Sequence, residues 1–363
     1  MNICIIGDGL TSLSLAKNLI NKKINVHFYH KNKIENLSTN RTIGISKDNL
    51  KFFRKEIYTI DMKFFWEIKK IEVYSEKLGK ENLLNFENEK NNLFYMLKNN
   101  ELYSLLINEL SKSKYFKKIF IKNKSIYINL QKKYDLIINC ESKNLIAKKY
   151  FSKTIKKNYH NLAYTTIIKH NSLKNNTAIQ IFTKYGPIAY LPISNVETSV
   201  VYSLDIKQNK FNKKEITDLI KNYNPKFTIK KIYDFQKFEL NSSSLRNYYH
   251  QNIVAFGDCL HKIHPLAGQG FNMTIRDIKI ISSIIQNKID LGMQLDTSIF
   301  SEFEKKTKHL NFIFSSGVDF IYEFFNLDKK FKYKGLNKIL KVFGKNKKLN
   351  KTLIKYADKG LNF

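Results

Sequence analysis

The stretch Ile3-Cys4-Ile5-Ile6-Gly7-Asp8-Gly9-Leu10-Thr11-Ser12 decides the fold. Four apolar residues in a row read as a buried strand. The strand stops at a glycine turn. Beyond it Leu13, Ala16, Leu19 and Ile20 recur at helical spacing and form one apolar stripe. Asn25 to His30 then reads as a second strand. Strand, glycine turn, helix, strand is the βαβ opening of an α/β sheet. The turn itself is GxGxxS. In a dinucleotide fold Gly7 permits the tight turn, and Gly9 lets the backbone approach a pyrophosphate. The third position, here Ser12, must be small so that helix and strand pack closely. Leu10 opens the helix, whose free N–H groups and positive dipole end face the phosphates.

Such a fold ordinarily carries an acid about twenty residues further on, where it binds ribose. This chain has Phe28-Tyr29-His30-Lys31 there, with no Asp or Glu between Asp8 and Glu35. His30 can exchange hydrogen bonds with ribose oxygens. Alternatively, His30 and Lys31 face a 2′-phosphate. The first motif leaves both readings open.

Outward from the opening, Ile71 to Tyr74 reads as a strand, Leu102 to Leu110 as a helix and Tyr134 to Asn139 as a strand. Four β-rich runs follow: Thr165–Ile168, Ala178–Phe182, Ile188–Leu191 and Thr198–Leu204, with the turn Tyr185-Gly186-Pro187 between two of them. They predict an antiparallel sheet in a second domain. Asn252 to Phe256 is another buried strand, and a helix is expected over Asn272–Gln286 with Met273, Ile275, Ile278, Ile281, Ile284 and Ile285 as its apolar surface. The remainder is helical in pattern.

Between that strand and that helix lies Gly257-Asp258-Cys259-Leu260-His261-Lys262-Ile263-His264-Pro265-Leu266-Ala267-Gly268-Gln269-Gly270-Phe271-Asn272. Two glycines flank one polar residue, then an apolar helix starts. N–H groups at such a helix start stabilise negative charge placed before them. The stretch resembles the GD…HP…GQG.N signature of class A FAD-dependent monooxygenases. The resemblance implies that Asp258, after Gly257, binds ribityl hydroxyls of FAD and that Pro265 packs near the isoalloxazine. It further implies that Gly268, Gln269, Gly270, Phe271 and Asn272 form the turn aimed at the flavin pyrimidine edge. Asn40-Arg41-Thr42-Ile43-Gly44-Ile45-Ser46 looks like the family's arginine segment, with Arg41 contacting FAD. Residues 178–193 and 199–202 are similar to the "F…GP.A.LP" stretch of ubiquinone-biosynthesis hydroxylases.

The implied architecture is a Rossmann-like FAD-binding domain (1–68, 92–150 and 248–290) with an inserted antiparallel β-sheet substrate domain (69–91 and 151–247). A helical C-terminal region (291–363) completes it. The implied reaction is hydroxylation of an aromatic ring, a polyprenylated phenol, with O₂ and with NAD(P)H as electron donor. The flavin carries the hard chemistry. A proton relay is considered for His261 or His264, with His264 the catalytic candidate, beside a structural hydrogen-bonding role for both. Three positions depart from the family: His30, Tyr103 in place of an arginine that touches the cofactor, and Cys140-Glu141-Ser142 in place of an Ala-Asp-Gly run. These keep two other readings open, a flavoprotein of the same fold with another substrate and a non-catalytic assembly or lipid-presenting subunit.

Composition bounds the partners. The 363 residues carry a formal charge of +32. Lysine is over-used along the whole chain, so the charge reads as compositional bias rather than a nucleic-acid site, which should concentrate it. A dense run, Lys329 to Lys359, includes Leu336, Ile339, Leu340, Val342 and Phe343, a pattern suited to an anionic lipid surface or to a solvated helical face. Cys4, Cys140 and Cys259 show no zinc spacing and suit a reducing compartment. No signal-peptide pattern and no apolar run near the ~20 residues of a membrane span is found. A cytoplasmic protein, peripheral to the inner face of the membrane, is expected.

Overall fold

The computed structural model describes residues 1–31, 40–76, 82–87, 92–206, 211–263 and 269–331. The chain opens with β1 (Asn2–Ile6), α1 (Leu10–Asn21) and β2 (Asn25–His30). β3 (Thr42–Ser46), α2 (Lys47–Phe52) and β4 (Trp66–Ile68) follow, then β5 (Lys70–Ser75), β6 (Asn82–Glu87) and β7 (Phe94–Lys98). Next come α3 (Asn99–Ser111), β8 (Phe116–Phe120), α4 (Ile126–Lys133), β9 (Leu136–Asn139) and α5 (Leu145–Tyr150). Strands β10 (Thr154–His170), β11 (Thr177–Thr183), β12 (Gly186–Pro192) and β13 (Glu197–Asp205) precede α6 (Lys213–Asn222). After β14 (Ile229–Ile232), β15 (Gln236–Leu245), β16 (Tyr249–His250), β17 (Ile253–Ala255) and β18 (His261–Lys262), the described chain ends in α7 (Gly270–Asp290) and α8 (Ser298–Phe331).

Six strands form the first sheet, in the order β16-β17-β9-β1-β2-β8. All its pairs are parallel except β16–β17. Cys4 faces Ile137 on one side and His27 on the other. β1 and β9 are buried along almost their whole length, as strands covered on both faces must be. The apolar stripe of α1 packs on this sheet, and Leu13, Ala16 and Leu19 are completely buried. The six apolar residues expected on α7 are buried as well.

The second sheet runs β18-β15-β10-β13-β12-β11-β5-β6, with β14 added beside β10. It is antiparallel apart from one parallel pair, β5 with β11. α6 covers one face, where Ile216 and Ile220 join Tyr190, Tyr202 and Val200 in a separate core. A three-stranded sheet, β3-β7-β4, completes the fold. β10 is much longer than the run Thr165–Ile168 in which it shows itself. Its first half carries exposed Lys156 and half-buried Lys157 and pairs with the serine-rich end of β15, so it lacks apolar alternation. Among the described residues no helix is long and apolar enough to cross a membrane.

Candidate functional site

The first sheet brings the carboxyl ends of β1, β2, β9 and β17 side by side. Ligands of open α/β sheets bind at such ends. At β1, Gly7 has φ +134°, a conformation closed to most L residues, and its N–H donates to Tyr29 O at 3.0 Å. A Cβ there would lie 2.9 Å from Ser12 Oγ and 3.3 Å from Cys140 Cβ. Glycine is what lets the turn, α1 and the end of β9 close together. Gly9 faces the other way, since a Cβ on it would meet nothing within 4 Å. It precedes α1 without any side-chain cap on the helix. The first-turn N–H groups, that of Leu10 included, are thus left to a partner other than a capping side chain.

The second glycine motif arrives at the same place. Gly257 adopts φ +57°, and a Cβ on it would stand 2.5 Å from Thr11 Cγ2 in the first turn of α1. Two segments about 250 residues apart in sequence therefore touch. Asp258 follows on a tight turn, its side chain exposed and without a hydrogen bond among the described residues. At the start of α7, Gln269 Oε1 is buried with no hydrogen-bond partner among the described residues, and α7 too lacks a side-chain cap. Asn272 is placed differently from the others. Its Oδ1 accepts from Ser46 N at 2.8 Å and from Asn49 Nδ2 at 3.0 Å, and its Nδ2 donates to Gly44 O at 3.0 Å. The side chain is occupied in fixing the helix start against β3 and α2. Phe271 packs on the first-sheet core, 6.5 Å from the Phe53 ring. Gly270 opens α7 with free space where a Cβ would be. His264, Pro265 and Gly268 lie outside the described residues.

His30 stacks near Phe28 and meets Phe120 edge-on. Arg41 is exposed, its guanidinium 5.9 Å from the Phe238 ring. His261 is buried, 2.5 Å from Asp277, which also accepts from Asn311 at 3.2 Å. This is a closed internal pair.

The departures from the family pattern are accommodated. Tyr103 is buried, and burial, then the nearby Asp8 carboxylate, raises its hydroxyl above the usual tyrosine value. Burial of the Cys140 thiol pushes it up to about 12, so it stays protonated. Ser142 needs no unusual backbone, because among the described residues the non-glycine positions with positive φ are Lys23, His160 and Gln251. The feature that sequence reasoning missed is an ion pair: Lys31 Nζ lies 2.5 Å from Glu141 Oε1. Both residues are visible in sequence as departures, but their meeting is not.

Gly9 facing open space, the uncapped starts of α1 and α7 and the orphaned Gln269 Oε1 suit an anionic dinucleotide with a polar heterocycle. The residues present fit FAD. Comparison with known proteins gives the fold. The FAD binding domain family matches residues 153–289. The fold is that of p-nitrophenol 4-monooxygenase from Pseudomonas putida, with TM-score 0.76, 11% identity and coverage of 98% of this chain and 97% of that one. A probable FAD-dependent monooxygenase from Pseudomonas aeruginosa aligns with TM-score 0.68, 11% identity and coverage of 94% and 99%. The chain thus has the flavoprotein monooxygenase fold.

In sequence the chain is similar to ubiquinone-biosynthesis monooxygenases. It is 25% identical over 241 residues to the mitochondrial COQ6 monooxygenase of Dictyostelium discoideum, covering 52% of this chain and 49% of the relative. It is 27% identical over 153 residues to 3-demethoxyubiquinol 3-hydroxylase of Escherichia coli, covering 40% and 39%. The matched segment spans less than half the length of either relative.

Proposed function

We propose that the chain is an FAD-dependent monooxygenase that hydroxylates an aromatic ring, a polyprenylated phenol of ubiquinone biosynthesis, with NAD(P)H as electron donor. The observation that carries this reading is the junction of the two glycine motifs, Gly257 against Thr11 of the Gly7–Ser12 turn. The relatives named above supply the substrate class.

Bound flavin supplies the redox chemistry and the activation of O₂. The protein's part is to hold and to exclude water. The α1 start, with Gly7, Gly9, Leu10 and Ser12, would take the diphosphate. Asp258 would accept hydrogen bonds from ribityl hydroxyls, and Gln269 Oε1 would accept from a donor at the heterocycle. The α7 start, fixed by Asn272, would favour negative charge on the reduced ring. His261, closed on Asp277, fits a structural role, which leaves His264 as the proton-relay candidate. Cytoplasmic placement with peripheral contact to an anionic membrane suits a prenylated substrate and the basic chain.

The visible absorption spectrum of the purified protein, before and after adding FAD and desalting, tests the reading. Retained oxidised-flavin bands are expected. A folded protein that retains no flavin would overturn it and favour the non-catalytic subunit.

A further inference from the structure

The Lys31–Glu141 pair joins the ends of two strands that are not neighbours. β1 lies between β2 and β9. Adjacent strands are about 4.8 Å apart, so the pair bridges roughly 10 Å across the end of β1, where the glycine turn begins. Both partners are anchored from behind. The Lys31 N–H donates to Asp8 Oδ1 at 3.0 Å. The Asn139 side chain donates to the Glu141 carbonyl at 3.1 Å and accepts from its N–H at 3.4 Å, while Asn144 donates to Asn139 at 2.7 Å.

The carboxylate is held on one side only. Oε1 takes the lysine at 2.5 Å, whereas Oε2 has, among the described residues, only a long 3.5 Å contact from the Tyr127 hydroxyl. The Glu141 side chain remains 27% exposed. Burial works against the Lys31 ammonium, but hydrogen bonds to Glu141 and Tyr127 prevail and keep it above the ordinary lysine value. The result is an oriented carboxylate with an open oxygen, its charge already balanced. That balance matters beside a diphosphate, which would repel an unpaired anion.

A dinucleotide fold needs a carboxylate for ribose hydroxyls and ordinarily draws it from the second strand. This chain has His30-Lys31 at that place. We propose that Glu141, steered by Lys31 and Tyr127, is the acceptor for the adenosine ribose diol of FAD, reaching from β9 toward the end of β2. Lys31 is the positioning residue. The inference rests on the FAD reading above and deepens it: the site discriminates adenosine-bearing flavin from FMN, and ribose from 2′-deoxyribose.

Titration calorimetry of the flavin-stripped protein with FAD, FMN, ADP and 2′-deoxy-ADP tests it. Wild type should bind ADP roughly tenfold more tightly than 2′-deoxy-ADP, as a hydrogen bond to a charged acceptor implies. Glu141→Gln should weaken FAD roughly tenfold and erase the ADP preference, with FMN affinity unchanged. Lys31→Met should erode the same preference, and Glu141→Asp should keep part of it. The latter two carry the test should Glu141→Gln not fold. A preference for ADP that survives in all three variants, or an equal loss of FMN affinity, overturns the proposal while leaving the FAD reading intact. No flavin binding by wild type overturns both.

Discussion

At the scale of single residues, one glycine and two thiols carry most of the consequence. Gly257 combines a positive φ with a Cβ position 2.5 Å from Thr11 Cγ2. Gly257→Ala must both strain the backbone and push α1 away, and a loss of about 2 kcal/mol is expected. A lower urea midpoint together with weaker flavin retention checks this; an unchanged midpoint would refute the contact. Cys140 and Cys259 are each pushed up to about 12 from 9.0, in both cases chiefly by burial. A raised acid keeps its proton longer in the folded chain. From pH 9 to 12 the unfolded thiols ionise first, so the stability they confer is complete below 9 and lost as pH climbs to 12. The slope is about 1.4 kcal/mol per pH unit for each thiol. Urea titrations at about pH 8 and about pH 10 should show the decline, and it should be smaller in a Cys140→Ala, Cys259→Ala protein.

At the scale of elements, the start of α7 is the decisive piece. Asn272 ties it to Ser46, Asn49 and Gly44. Asn272→Ala would leave a buried N–H and a buried C=O without partners, at a cost of roughly 1–3 kcal/mol each. Flavin retention should fall with it, because the helix start would no longer be held. Asn212 offers the contrast. It closes a capping box with Glu215 at the exposed start of α6, the helix whose Ile216 and Ile220 enter the second sheet's own core. Asn212→Ala should cost about 1 kcal/mol and leave flavin binding untouched. Thermal melts of both variants, with and without FAD, read the difference; parallel behaviour would mean that α7 has no special tie to the cofactor. The α7 start was legible in the sequence as a glycine turn before an apolar helix. Asn272's anchoring role was not, because its partners lie on β3 and α2, more than 220 residues away.

At the scale of the whole molecule, the charge of +32 must act on whatever anionic surface the protein meets. Sedimentation with vesicles containing phosphatidylserine should show binding that falls steeply as salt is raised, with neutral vesicles left unbound. Binding indifferent to lipid charge would remove the membrane reading. The sequence alone determined the strand–turn–helix opening, the buried strands β1, β9 and β17, the β-rich second sheet and the two glycine motifs, because hydrophobic period and glycine placement are local properties. The tertiary structure alone decided what comes together: Gly257 on Thr11, Glu141 across β1 to Lys31, His261 closed on Asp277. It also decided the single parallel pair of β5 with β11 and the full reach of β10, whose polar half is held by its partner strand. Contacts between different elements depend on packing the whole chain, and no local pattern encodes them.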